Sequence, residues 1–288
     1  LVVTFVPGTA PVATLPQFYV VDGTTAQVDR LATSGAQLGL VESPVALPRP
    51  RGIAASPDGL RLWVLGAGGT VSVYDAGMRR LGAWTAAGLV RPTGIAIVGR
   101  DIWMTDAGRG RVVVFPNAVP RLSGAQVASR SFALAAPNAS AQDLATDGRT
   151  VWVVDAGAVA RVFVYRADSG AVAGAWALAM ANRAPTGITI DPTGRNTAIW
   201  VVDAATKRVY AYAGGRALRS GRGLSTSVFA LSASIRDPQG ITDPPVSTSK
   251  RRPSHPASGW PRVVVSPPKS PPRNGAEPDR REPTANTP

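Results

Sequence analysis

Apolar residues fall on both parities of several short segments of this chain. Ile199-Trp200-Val201-Val202-Asp203-Ala204 is followed, after a short gap, by Arg208-Val209-Tyr210-Ala211-Tyr212. The same pair of segments recurs as Val151 to Ala156 with Arg161 to Tyr165, and as Ile102 to Ala107 with Arg111 to Phe115. Two worn copies precede them, at Leu62 to Ala67 and at Phe18 to Gly23. Tyr19, Trp63, Trp103, Trp152 and Trp200 hold the equivalent place, at intervals of 40 to 49 residues. A period in that range signals a repeat architecture. Strands of a sandwich alternate because one face is wet, whereas runs such as Val112-Val113-Val114 demand cover on both faces.

Each full repeat contains four strand signals. In the last one, Pro185-Thr186-Gly187-Ile188-Thr189-Ile190 leads through the turn residues Asp191-Pro192-Thr193-Gly194 to the two apolar segments, and a glycine-rich link reaches Ser227-Val228-Phe229-Ala230-Leu231. Gly52, Gly94, Gly187 and Gly240 mark the start of the first strand, as expected where strands converge on an axis with little room for side chains. Short strands, four to a unit, with no sustained helical period, predict an all-β fold, a β-propeller of four-stranded antiparallel blades. The first copy lacks a first strand, and Asp237-Pro238-Gln239-Gly240-Ile241-Thr242 is a first strand with nothing after it. Joined, they make one blade split between the termini, which closes the ring and removes exposed sheet edges. The expected count is five blades, with six as the alternative if one unit is degraded.

The pattern Pro-x-Gly-Ile, a turn, Trp-Val-Val-Asp-Ala and Arg-Val-x-Val-Tyr resembles the NHL-type repeats of β-propellers, a superfamily that includes gluconolactonase-like and streptogramin-lyase-like propellers. The resemblance covers about residues 17 to 243. It implies three uses: docking of protein or RNA on a flat face, metal-dependent hydrolysis of sugar lactones at the central mouth, and lyase chemistry in the same place.

Composition trims these options. The chain has 288 residues, 31 basic and 18 acidic, for a formal charge of +13. Lys207, Lys250 and Lys269 are the only lysines, so the excess is arginine, as GC-rich coding would produce. No basic run is interleaved with aromatics, so specific nucleic-acid binding is not expected. Zero cysteines exclude a disulfide framework and a thiolate site. No segment approaches the length of a membrane span, and Leu1 to Val6 is too short for a signal peptide's apolar region, so the chain reads as a mature form or a fragment. Residues 1–16 read as a linker or the remnant of an upstream module, 17–243 as the propeller, and the proline-rich 244–288 as a disordered tail.

Catalytic inventory is thin. His255, the only histidine, lies in the tail, and Glu42 is the only glutamate before it. The body therefore has no imidazole base, and glycosidase chemistry, which needs two carboxylates at a set separation, finds Glu42 as its one glutamate there. Asp143 occupies the slot that is glycine in the other repeats and is the candidate for a ligand or a divalent cation such as Ca²⁺, with Gln142 and Asp147 close in sequence. Asp22, Asp106, Asp155 and Asp203 share one repeat position on one rim. Arg111, Arg161 and Arg208 follow the last three, and where the aspartate is replaced by Gly66 the arginine is replaced by Thr70. Such paired loss predicts hairpin pairs Asp106–Arg111, Asp155–Arg161 and Asp203–Arg208, each contributing about 0 to 1 kcal/mol. The repeated tryptophans are expected to pack between blades rather than to stack on sugars.

These features favour a non-catalytic, monomeric scaffold that binds protein or glycan, needs no cofactor and inserts in no membrane. Composition and resemblance together suggest a module of a larger exported bacterial protein in the extracellular space or cell envelope, with the cytoplasm open as an alternative. The competing reading is a metal-dependent hydrolase or lyase of the gluconolactonase-like type, acting at the channel mouth.

Overall fold

The computed structural model describes residues 18–32, 36–41 and 49–243; the expected linker 1–16 and tail 244–288 lie outside them. Five sheets radiate from one axis. The first blade takes β1 (Phe18–Asp22), β2 (Val28–Leu31) and β3 (Gln37–Val41) from the start of the chain. The second holds β4 (Pro50–Ala55), β5 (Arg61–Gly66), β6 (Thr70–Asp75) and β7 (Arg80–Ala87), and the third begins with β8 (Pro92–Val98), β9 (Asp101–Asp106) and β10 (Arg111–Phe115). A short β11 (Ala125–Val127) precedes that blade's outer strand, β12 (Arg130–Ala133). The fourth blade runs through β13 (Ala141–Thr146), β14 (Thr150–Asp155), β15 (Arg161–Arg166) and β16 (Val172–Ala177), and the fifth through β17 (Pro185–Ile190), β18 (Ile199–Asp203), β19 (Arg208–Tyr212) and β20 (Ser227–Ala230). The last strand, β21 (Pro238–Thr242), returns to the first blade and pairs antiparallel with β1 as its innermost strand. The ring therefore has five blades and the expected split one.

The doubly apolar strands are buried at every residue after the first in β9 and β14 and throughout β18, since each blade is covered by a neighbour on both sides. Five separate apolar clusters result, one at each blade-to-blade interface. Trp63 and Trp84 pack between blades two and three, Trp152 and Trp176 between four and five, Trp103 between three and four, and Trp200 between five and one. Burying each large side chain contributes about 1.5 to 3 kcal/mol or more. The indole N–H groups of Trp63, Trp84, Trp103, Trp152 and Trp176 find no acceptor, so these positions favour ring area over a hydrogen bond.

Outer edges are treated unequally. The long link between β10 and β12 lays β11 in parallel against β7, where Ala83 and Thr85 donate to the carbonyls of Leu122 and Gly124. The corresponding link of the fifth blade does the same for β16, with Ala175 and Ala177 donating to Arg219 and Gly221. Covering an edge in this way removes a template for pairing with another chain.

Candidate functional site

Two ends of the ring differ. The upper face carries the turns between second and third strands and the links from blade to blade; the lower face carries the other turns. Between them the axis is closed. A β-carbon at Gly187 would stand 2.8 Å from Cα of Gly240, one at Gly240 would stand 2.8 Å from Cα of Gly52, and one at Gly52 would stand 3.3 Å from Cα of Gly94. Only glycine allows inner strands to approach so closely.

Asp143 completes this ring between Gly94 and Gly187. Its side chain is 1% exposed, and both carboxylate oxygens are bonded. Oδ1 accepts from Leu144 N–H at 2.8 Å and Oδ2 from Ile188 N–H at 3.0 Å in the next blade, while Ile95 N–H bears on it from the preceding one. Burial pushes the carboxyl well above the usual carboxylate range, against the downward pull of these N–H groups. The residue thus ties three blades at the axis. Asp147 lies away from it on the lower face, paired with Arg216 at 2.8 Å, and Gln142 donates to the Ser140 carbonyl.

Below that closure a small mouth opens, with room for about 50 Å³. Aliphatic residues (Ile53, Leu144, Ile188 and Ile241) and polar ones (Thr146, Thr189, Thr242 and Asp243) both line it, and the surface it exposes is more polar than apolar. The Thr189 and Thr242 hydroxyls accept backbone N–H bonds from Asp243 and Ala55. Among the described residues no three acidic, histidine or cysteine side chains gather as a metal centre would require.

The rim aspartates have a common geometry. In every blade the residue after this position donates its N–H to the carbonyl of the residue just before the first strand: Gly23 to Asp237, Ala67 to Arg49, Ala107 to Arg91, Ala156 to Ser140 and Ala204 to Ala184. Where the position is aspartate, the carboxylate answers with the reverse bond, accepting the N–H of that residue. Asp203 takes Ala184 N–H at 2.7 Å, Asp155 takes Ser140 at 2.7 Å, Asp106 takes Arg91 at 3.0 Å and Asp22 takes Asp237 at 2.8 Å. The other oxygen often caps its own hairpin, as in Thr206 N–H to Asp203 at 2.7 Å. Each aspartate therefore staples a hairpin to the incoming link.

The register does set Asp106, Asp155 and Asp203 opposite Arg111, Arg161 and Arg208. An ion pair forms only in the first, at 3.3 Å between Arg111 Nε and Asp106 Oδ2. For Asp155 and Asp203 the expected guanidinium partner is replaced by backbone N–H groups, which satisfy a buried carboxylate without ordering a long exposed side chain. At Asp22 burial pushes the carboxyl up, but the N–H groups of Asp237, Thr25, Thr24 and Arg236 outweigh it and hold the group below the usual range.

One further hollow lies on the upper face, between the hairpin of blade four and the link to blade five. It holds about 270 Å³ and is lined by Ala158, Val159, Leu178, Met180, Asn182 and Arg183 among others. Sequence reasoning missed it, because its walls come from segments without a repeat motif. The available signal was an apolar residue, Val159, in a hairpin turn whose counterparts hold glycine, arginine or threonine.

No protein-family model matches this sequence, and no curated protein matches it either. Among solved structures it is similar to a β-propeller in the crystal structure of a nidogen/laminin complex, with 17% identity, a TM-score of 0.50 and coverage of 80% of this chain and 81% of that one. That likeness carries the fold alone.

Proposed function

We propose that this propeller is a non-catalytic, monomeric scaffold that binds other macromolecules through its flat faces, as a module of a larger exported bacterial protein with NHL-type repeats. The observation that carries this reading is the closed axis. A catalytic propeller of the gluconolactonase-like type would act at the central mouth, yet here the axial carboxylate of Asp143 spends both oxygens on backbone N–H groups. What opens below it has room for only about 50 Å³.

The test is thermal melting with and without Ca²⁺, Mg²⁺, Mn²⁺ and Zn²⁺, combined with a sugar-lactone hydrolysis assay under each condition. No cation should raise the melting temperature, and no hydrolysis should be detected. Cation-dependent turnover, or a cation-induced shift abolished by Asp143→Gly, would overturn the scaffold reading in favour of a metal-dependent hydrolase.

A further inference from the structure

The upper face buries its carboxylates and exposes guanidinium groups. Its aspartates, Asp22, Asp106, Asp155 and Asp203, are at most 2% exposed and are consumed by backbone N–H groups. The basic residues opposite them stay outside: Arg91, Arg109, Arg161, Arg183, Arg208 and Arg236 are exposed. On the lower face, by contrast, Asp58, Asp147 and Asp168 are exposed, and Asp75–Arg79 and Asp147–Arg216 form ion pairs. Both ends therefore expose arginines, Arg61, Arg80, Arg100, Arg149, Arg166 and Arg195 on the lower one, but among the described residues only the lower end also exposes carboxylates beside them.

Anionic partners differ in what else they need. Bases and sugar rings are gripped by exposed aromatics, but every tryptophan in the described residues is buried. The upper face instead displays aliphatic side chains, Val90, Val159 and Met180, the last two at 44% and 79% exposure. Val159 and Met180 flank the 270 Å³ hollow, with Arg183 and Arg222 on its margin and no acidic residue in its wall. Arg222 is held in place by a 2.6 Å bond from Nη1 to the Leu178 carbonyl. An aliphatic socket rimmed by arginines matches a protein segment that presents one aliphatic side chain flanked by carboxylates.

We infer that the hollow between blades four and five is a docking site for an acidic protein segment, anchored by an aliphatic side chain between Val159 and Met180 with its carboxylates on Arg183 and Arg222. This inference rests on the scaffold reading and specifies its partner class and face.

The test is fluorescence anisotropy with a labelled Glu-Glu-Leu-Glu-Glu peptide at about 150 mM ionic strength, where long-range attraction is screened. Binding should weaken by about tenfold or more with Arg183→Glu and severalfold with Met180→Ser. Replacing the peptide's leucine by serine, or its glutamates by glutamines, should weaken it comparably. Arg149→Glu, on the lower face, should leave binding unchanged. The inference is overturned if the peptide does not bind, if Arg183→Glu and Met180→Ser leave its affinity intact, or if oligothymidine or a sulfated oligosaccharide competes for the same residues equally well. None of these failures touches the scaffold reading, which is overturned by cation-dependent turnover or by a cation-induced melting shift abolished by Asp143→Gly.

Discussion

Replacing Asp203 by alanine removes three hydrogen bonds from a fully buried carboxylate: Ala184 N–H at 2.7 Å, Thr206 N–H at 2.7 Å and the Thr206 hydroxyl at 2.9 Å. Two backbone donors at the junction of blades four and five lose their acceptor. At about 1 to 3 kcal/mol for each buried donor left unmade, with relaxation toward water at the rim, the expected loss is about 2 to 4 kcal/mol. For a body of this size that lowers the melting temperature by about 4 to 16 °C. Arg208, although opposite Asp203 in register, is exposed and makes no ion pair with it, so Arg208→Ala should cost less than about 0.5 kcal/mol. The double-mutant cycle should then give a coupling energy below about 0.5 kcal/mol. Urea unfolding followed by tryptophan fluorescence supplies all four stabilities, because the indoles at the blade interfaces are buried. A coupling above about 1 kcal/mol, or equal costs for the two single substitutions, would show that the guanidinium is the carboxylate's true partner and refute the staple.

The seam of the ring should be acid-sensitive. Asp22 binds Arg236 and Asp237 N–H across the chain's two ends, and its carboxyl is held below the usual range, so its contribution is present above the unfolded value near 3.8 and is lost as pH falls through the folded one. Asp22→Asn should be less stable than wild type at neutral pH, with the gap narrowing below about pH 4 in urea titrations; a gap that widens on acidification would contradict this. At the axis, Gly187→Ala would set a β-carbon 2.8 Å from Gly240 Cα and Ile241 N, backbone atoms of the neighbouring blade that cannot swing aside. It should cost about 1 to 3 kcal/mol in the same assay, and a neutral result would mean that the inner strands are not in close contact.

Much of this architecture was legible in the residues alone. Val112-Val113-Val114 and Trp200-Val201-Val202 could not tolerate a wet face, the glycines marked convergence, and a unit missing its first strand at one end matched an orphan first strand at the other. Those signals are local, repeated and carried by side-chain type. Asp143 could likewise be placed on the innermost strand by its alignment with Gly94 and Gly187. The partner of the rim aspartates could not. Their co-loss with arginine at Gly66 and Thr70 pointed to ion pairs, whereas the bonds at Asp155 and Asp203 run to Ser140 and Ala184 N–H, and a backbone donor is the same whatever residue bears it. Nor could the sequence say whether Asp143 faced an open mouth or a closed axis, since that depends on how nearly five inner strands meet, a distance set by the packing of all five interfaces. The burial of the rim carboxylates is of the same kind. Composition fixed an arginine excess, but only the folded ring turned four carboxylates inward at one end and left the arginines there without exposed carboxylates beside them. Chain chemistry determines which residues repeat and which must be buried; the direction in which a polar group spends its hydrogen bonds is decided when segments far apart in sequence are brought within reach of it.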